Sequence, residues 1–213
     1  MATTSSPHYF ITIGRSYGSG GLRLAEELQK ALGVPMYDKN LLDLTAKETN
    51  IQTDILQRVD ERNTRTFPYI YDSGYPMTNA FYTYTSGFLS DESLFGRQCA
   101  TIEHIAAEGS AIFVGRCSDY VLREQPCLLS IFVTDDIDRR ATRVMERLQM
   151  TRDEAIAQID KIDKQRREYY SYYTTREWGV AENYDLCVKL SRFGTDYVVR
   201  LVKDMVAFMV DKP

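Results

Sequence analysis

Five short apolar runs recur along the chain, and most are separated by stretches with helical periodicity. The runs are YFITIG (9–14), VPMYD (34–38), SAIFVG (110–115), LLSIFVT (128–134) and YDLCVKL (184–190). Their near-continuous hydrophobicity is typical of strands that are buried on both faces. Because strands that alternate with helices favour βαβ units, the pattern predicts a parallel, doubly wound α/β sheet.

Four amphipathic helices are predicted between and after these runs. The first spans Gly20 to Leu32, and the second spans Asp91 to Glu108. A third helix is expected to begin at the capping box Thr151–Glu154, because a Thr followed three residues later by a Glu satisfies the first backbone N–H groups. The last is expected from Thr195 to about Val210.

Two segments depart from this alternation. Residues 62–88 mix prolines, glycines and aromatic residues without a sustained period, which favours an ordered insertion or flap. Residues 160–179 are dense in basic and tyrosine residues, and we interpret them as an arm over a site. The tyrosines are explained either by a platform for a base or, as is more common, by packing of the arm on the core.

The length, charge and cysteine content of the chain argue against several classes of function. The chain has 213 residues, which fits one domain, and its 26 Lys and Arg against 30 Asp and Glu do not indicate nucleic-acid binding. The four cysteines are scattered and there are two histidines, so a zinc site is not expected. The apolar runs are short of the roughly 20 residues of a membrane helix. We therefore expect an intracellular, cytoplasmic protein without a membrane partner.

A glycine-rich turn joins the first strand to the first helix in FITIGRSYGSGGLRLAEEL. Glycines at Gly18, Gly20 and Gly21 allow backbone N–H groups to surround an anion at the helix N-terminus. A GxxxxGK[ST] loop would add a lysine, which this turn lacks, but Arg15 and Arg23 bracket the glycines. The alternative is a tight strand-to-helix turn without a ligand.

Two further candidates follow strands. Arg116 comes after the third strand, and ligands of open α/β sheets lie beyond the carboxyl ends of the strands, so Arg116 is expected to face the same crevice. A structural salt bridge is the alternative. Asp38 and Lys39 follow the second strand and suit a sugar hydroxyl, a base amine or a phosphate, although a surface turn explains them better when they are taken alone.

Basic residues at helical spacing form a further group. Arg140 and Arg143 lie three residues apart, as do Lys164 and Arg167, so each pair shares one helical face. Most charge runs are solvated surfaces. Near a triphosphate, however, two such faces would supply the lid that phosphoryl transfer requires.

Six motifs follow one another in an order that resembles the cytidylate kinase-like family over nearly the whole chain. They are GRSYGSGG, LGVPMYDKNLL, AIFVGRCSDYVL, IFVTDDIDRRATRVME, IDKQRREYYSYYTTREWG and YDLCVKLSRFG. The resemblance implies a single P-loop kinase-like domain over 1–213. It also implies three layers, a five-stranded parallel sheet with helices on both faces, a monophosphate-binding region at about 39–90 and a helical lid at about 150–180. Gly21 stands where the family's loop lysine is expected, and Cys117 replaces the Asp of a GRD motif.

The resemblance and the residues together give an expected site. The donor ATP would be bound by Ser16, Tyr17, Gly18, Ser19, Gly20, Gly21, Arg140 and Arg143. Asp38, Lys39, Arg116 and Asp119 would bind the acceptor, and the catalytic charges would be Arg15, Arg23, Arg166 and Arg167. Mg²⁺ would be required, held through water and Ser16 or Ser19 without a dedicated protein metal site.

The predicted function is transfer of the γ-phosphoryl group of ATP to a nucleoside monophosphate, CMP-like, or to a related small phosphate acceptor. Two alternatives stay open at this point. One is a weakly active or inactive module that senses a nucleotide or anion, and the other is a kinase for a non-nucleotide acceptor. The expected partners are small nucleotides, and a homo-oligomer is left open.

Overall fold

The structure is a computed structural model that describes residues 7–38 and 91–211. In these residues, five parallel strands form one sheet in the order β2-β3-β1-β4-β5. The strands are β1 (Phe10–Arg15), β2 (Met36–Tyr37), β3 (Ala111–Val114), β4 (Leu128–Thr134) and β5 (Leu186–Lys189). The helices are α1 (Gly21–Leu32), α2 (Asp91–Glu108), α3 (Ser118–Val121), α4 (Ile137–Leu148), α5 (Arg152–Thr174), α6 (Leu190–Phe193) and α7 (Thr195–Val210), with a 3₁₀ turn at Ala181–Asn183. The predicted parallel α/β sheet is confirmed.

Helices cover both faces of the sheet, which gives the three predicted layers. Successive residues of a strand point to opposite faces. Ile11 and Ile13 of β1 pack with α1 and α7 on one face, in a cluster that includes Leu24 and Val202. Phe10 packs on the other face with α2 and α3. Since both faces are buried, the strands need the near-continuous hydrophobicity that the sequence shows.

The helix boundaries follow local signals. Helix α1 ends at Gly33, whose φ of +69° is the left-handed conformation of a C-terminal glycine, and the Gly33 N–H donates to the Gln29 carbonyl. Helix α5 begins at the predicted capping box, in which the Thr151 side chain accepts from the Glu154 N–H and the Glu154 carboxylate accepts from the Thr151 N–H.

Helices α4 and α5 pack together at the carboxyl end of the sheet. Val144, Ile159 and Ile162 enclose Tyr17 of the glycine-rich turn. Helix α5 therefore occupies the sequence region predicted as a lid, and its movement as a lid stays a prediction. The flap at 62–88, Lys39 and the rest of the region at about 39–90 lie outside the described residues.

The sheet order places a crevice between β1 and β3. The chain leaves β1 toward β2 on one side, whereas it leaves β3 toward β4 on the other side. Ligands of doubly wound sheets bind where neighbouring strands have connections in opposite directions. The ends of β1 and β3, at Arg15 and Gly115, therefore border the expected ligand crevice.

Candidate functional site

The turn between β1 and α1 presents backbone N–H groups beyond the carboxyl end of the sheet. Gly18 and Gly20 have φ values of +76° and +90°, which residues with side chains rarely adopt. Within residues 7–38 and 91–211, the N–H groups of Gly18, Gly20 and Gly21 donate no hydrogen bond. Helix α1 adds the partial positive charge of its N-terminus. The arrangement of these groups is suited to an anion.

Ser19 lies at the centre of the same turn and is fully buried. Its hydroxyl makes no hydrogen bond to any described residue. A buried hydroxyl without a partner is unfavourable by about 1–3 kcal/mol. Ser19 is therefore suited to a ligand of the turn, such as a phosphate oxygen or a cation.

Three arginines bind the carbonyl groups of the turn. Arg166 Nη1 lies 2.6 Å from the Arg15 carbonyl, Arg140 Nε lies 2.8 Å from the Tyr17 carbonyl, and Arg143 Nη1 lies 2.9 Å from the Gly18 carbonyl. Each contact is a charge-assisted hydrogen bond. Because the carbonyl oxygens are held by guanidinium groups, the turn keeps the conformation in which its glycine N–H groups are available to a ligand.

Asp163 of α5 also contacts the turn and one of these arginines. Its Oδ1 accepts from the Tyr17 N–H at 2.7 Å, and its Oδ2 is paired with the Arg140 guanidinium. Both carboxylate and guanidinium are nearly buried. Tyr17 is thus held at its N–H by Asp163 and at its carbonyl by Arg140, and we call these two residues the loop clamp.

Asp135, at the end of β4, forms a second connection. Arg143 Nη2 lies 2.6 Å from Asp135 Oδ2, and the Asp135 Oδ1 accepts from the Ser191 hydroxyl and from the Asp136 N–H. Burial alone would raise the pKa of Asp135, but the hydrogen bonds from Ser191 and Arg143 outweigh it and lower the pKa below its usual value of 3.8. Asp135 is therefore a carboxylate that fixes Arg143 against the turn.

The lowered pKa of Asp135 predicts a pH dependence. A folded-state pKa below the unfolded value adds stability that is present above the unfolded pKa and is lost as pH falls through the folded pKa. Between about pH 5 and about pH 3, the free energy of unfolding of Asp135→Asn should therefore fall less than that of the wild type. Urea unfolding at a series of pH values measures this. Asp138→Asn is the control, since the Asp138 pair with Arg152 is exposed; equal pH slopes for wild type and Asp135→Asn would contradict the assignment.

Arg15 spans the crevice between β1 and β3. Its Cβ and Cγ lie over Gly21, where a Cβ would be only 2.6 Å and 3.0 Å from them. Its Nη1 reaches Gly115, where a Cβ would be 2.2 Å away. Arg23, the other predicted replacement for the loop lysine, is exposed on α1.

The turn after β3 has an unusual backbone. Gly115, Arg116 and Cys117 are three consecutive residues with positive φ, at +78°, +58° and +55°. A left-handed non-glycine residue costs roughly 1–2 kcal/mol. The Arg116 guanidinium lies 5.4 Å from the centre of the Tyr169 ring, and the Tyr169 hydroxyl donates to Gln98 Oε1 at 3.1 Å. The strained turn therefore places an arginine at the end of β3, beside β1.

Two further residues after Arg116, Cys117 and Asp119, are buried and half-buried, respectively. Cys117 is buried, and this burial raises the pKa of its thiol, so it is not a reactive thiolate. The Asp119 carboxylate accepts from the Tyr170 hydroxyl at 2.6 Å, and burial raises its pKa despite this hydrogen bond. Asp119 thus connects α3 to the end of α5.

The remaining predicted site residues in the described ranges lie on different elements of the fold. Ser16 is buried, with its hydroxyl 3.4 Å from that of Thr134. Asp38 ends the first described segment, after β2 at the sheet edge. Arg167 is exposed on α5. The described residues contain no group of three or more His, Cys, Asp or Glu that would hold a metal ion.

Sequence patterns did not single out Asp163, Asp135 or Ser191. A signal for Asp163 exists, because it follows Ile159 by four residues and so lies on the same buried helical face. A carboxylate on that face needs a buried partner. No comparable pattern marks Asp135 or Ser191.

The fold and the glycine turn define a P-loop kinase-like α/β protein. Comparison with protein families identifies the group more closely: the model of the cytidylate kinase-like family matches residues 10–192, and the chain belongs to that family. Membership of this family supports a phosphotransferase of some kind, with the substrate unspecified. A comparison with curated proteins found no significant match. No helix in the described ranges is long and apolar enough to cross a membrane.

Solved structures share the fold. An uncharacterized protein from Eubacterium ventriosum ATCC 27560 is 26% identical, with a TM-score of 0.71 over 94% of this chain and 99% of the other. A gluconokinase from Sinorhizobium meliloti 1021 is 14% identical, with a TM-score of 0.52 over 97% and 95%. A shikimate kinase from Bacteroides thetaiotaomicron is 13% identical, with a TM-score of 0.51 over 93% and 98%. At these identities, the two kinases establish a common fold only.

Proposed function

We propose that this protein transfers the γ-phosphoryl group of ATP to a nucleoside monophosphate, CMP-like, or to a related small phosphate acceptor. The observation that carries the proposal is the turn between β1 and α1, where glycine N–H groups are available while arginines hold the carbonyl groups. Phosphoryl transfer depends mainly on positioning and on neutralising negative charge. A prearranged anion cradle supplies the first of these requirements.

The donor side fits the phosphates of ATP. Gly18, Gly20 and Gly21 would donate backbone N–H groups, and the buried Ser19 hydroxyl, which has no partner among the described residues, would complete the cradle. Mg²⁺ would neutralise charge on the phosphates, and it commonly keeps several water ligands. The hydroxyl groups of Ser16 or Ser19 are the protein ligands that this chain offers it.

The acceptor side would use Arg116, which the left-handed turn places at the end of β3. A guanidinium group binds a phosphate or carboxylate through two parallel hydrogen bonds. Asp38 and Lys39 would contribute from the end of β2. Cys117, at the position of the GRD aspartate, is buried and cannot read a base as a carboxylate would. The identity of the acceptor therefore has to be tested broadly.

The arginines of α4 and α5 divide into two roles. Arg140, Arg143 and Arg166 would position the turn, because each donates to a loop carbonyl. Arg167 is exposed on α5 and, in the lid role, would close over the transferring phosphoryl group. The loop-positioning role makes the cradle rigid before ATP binds.

Coupled release of ADP, measured with a panel of acceptors, tests the proposal. The panel contains nucleoside monophosphates, with gluconate and shikimate as non-nucleotide hydroxyl acceptors. We expect turnover with at least one monophosphate. Arg116→Ala should then raise the KM for that acceptor roughly tenfold to a hundredfold, as expected for loss of a charged hydrogen bond. Arg123→Ala is the control, since Arg123 packs on Tyr120 at the surface.

Each other outcome identifies another function. Turnover with gluconate or shikimate alone would establish a kinase for a non-nucleotide acceptor. ATP binding by calorimetry without turnover of any acceptor would contradict the phosphotransferase and leave a nucleotide-sensing module.

A further inference from the structure

The path of the Arg15 side chain depends on two glycines from separate parts of the chain. At Gly21, a Cβ would lie 2.6 Å from the Arg15 Cβ, which is close to the backbone and cannot move away easily. At Gly115, a Cβ would lie 2.2 Å from Arg15 Nη1. The stem of Arg15 therefore needs a glycine at position 21, and a side chain at position 115 would displace the guanidinium group from its present place.

Position 21 also directly follows Gly20, as the lysine of a GxxxxGK[ST] loop directly follows its last glycine. A side chain there would collide with the stem of Arg15, so the present course of Arg15 and a lysine at position 21 are mutually exclusive. Absence of the lysine is thus not an isolated change, because the space at position 21 is taken by another cationic side chain. This side chain originates at the end of β1 rather than in the first turn of α1.

We propose that Arg15 is the phosphate-binding cation of this loop in place of the lysine, that Gly21 is required because it leaves room for the Arg15 stem, and that Gly115 leaves room for the Arg15 guanidinium group. The proposal rests on the proposed function, in which the loop binds the ATP phosphates. The Arg15 guanidinium group lies against Gly115, beside Arg116, in the crevice between β1 and β3. Its planar fork of donors can contact oxygens of two groups at once. Arg15 is thus placed between the donor loop and the acceptor arginine, whereas Arg23 is exposed.

Calorimetry with MgATP and with inorganic tripolyphosphate measures the contribution of Arg15. Arg15→Ala is expected to lower both affinities roughly tenfold to a hundredfold, as expected for lost charged hydrogen bonds. Arg15→Lys should recover part of this loss, and Arg23→Ala should cost less than Arg15→Ala. Lys30→Ala is the control for loss of an exposed positive charge at the far end of α1. A larger loss for Arg23→Ala than for Arg15→Ala would overturn the assignment.

An exchange of positions tests the relation between Arg15 and Gly21. Gly21→Lys should weaken tripolyphosphate binding or destabilise the wild-type protein, because the new side chain meets Arg15. In an Arg15→Gly background, Gly21→Lys should strengthen tripolyphosphate binding relative to Arg15→Gly alone, since the space at position 21 is then open and the lysine restores a cation. This reversal of sign is specific to the proposal. Circular dichroism identifies variants that do not fold, and the Arg15→Ala and Arg15→Lys results then decide.

Gly115 supplies a third test with a matched control. Gly115→Ala and Gly33→Ala both introduce a side chain at a positive φ, +78° and +69°, but a Cβ on Gly33 meets no atom within 4 Å. Both substitutions are expected to lower thermal stability. Only Gly115→Ala should lower tripolyphosphate affinity, because only there is a guanidinium group displaced. In an Arg15→Ala background this effect on affinity should disappear, and its persistence would contradict the proposal.

Failure of this proposal and failure of the proposed function give different results. Arg15-dependent binding of tripolyphosphate without turnover of any acceptor would support Arg15 and contradict the phosphotransferase. Turnover that is unchanged in Arg15→Ala would support the phosphotransferase and overturn the role of Arg15. A wild-type protein that binds neither MgATP nor tripolyphosphate would overturn both.

Discussion

Replacement of Asp163 by alanine is expected to lower the free energy of unfolding by about 3–5 kcal/mol, the usual effect of removing one partner of a buried ion pair. The variant leaves the Arg140 guanidinium buried without its carboxylate and leaves the Tyr17 N–H without its acceptor. Since the loop clamp holds Tyr17 through these two contacts, MgATP affinity should fall together with stability. Urea unfolding and calorimetry measure the two effects.

Two further variants separate the contributions of Asp163. Asp163→Asn keeps an oxygen that can accept from the Tyr17 N–H but removes the charge, so its effect should lie between those of wild type and Asp163→Ala. Asp160→Ala is the matched control, because Asp160 is exposed one turn earlier on the same helix. If Asp163→Ala were no more destabilising than Asp160→Ala, the loop clamp would not be what holds Tyr17.

The fold was predictable because its determinants are local. Strands buried on both faces need continuous apolar runs, and the predicted runs correspond to the five observed strands. The cap signals at Gly33 and Thr151 also depend on a few consecutive residues. The order of strands across the sheet was not predicted, because a single sequence does not specify which strands are neighbours.

The candidate site was only partly predictable, because its contacts join distant residues. Helical spacing showed that Arg140 and Arg143 share a face, but not that both would donate to carbonyls of the glycine turn. Arg140 meets Asp163 only through the packing of α4 on α5, and no pattern within either helix sets that alignment. Likewise, the sequence suggested Arg15 and Arg23 equally, and only the course of Arg15 past Gly21 distinguishes them.

Replacement of Gly18 by alanine is expected to weaken MgATP binding more than about tenfold, which corresponds to the loss of at least one charged hydrogen bond. A Cβ at this position would lie 2.9 Å from the Arg140 carbonyl oxygen and 3.1 Å from Val144 Cγ2. The carbonyl belongs to the backbone of α4, so the turn rather than the helix would have to shift. Such a shift would also strain the hydrogen bond from Arg143 to the Gly18 carbonyl.

Gly33→Ala separates this steric effect from the cost of the backbone conformation. Gly33 has a similar φ of +69°, but a Cβ there meets no atom within 4 Å, and it lies at the opposite end of α1. Gly33→Ala should therefore cost only the roughly 1–2 kcal/mol of a left-handed residue and leave MgATP affinity unchanged. Gly18→Ala should lose more stability and also lose affinity. Equal effects of the two variants in both measurements would mean that contact with α4 does not set the shape of the anion cradle.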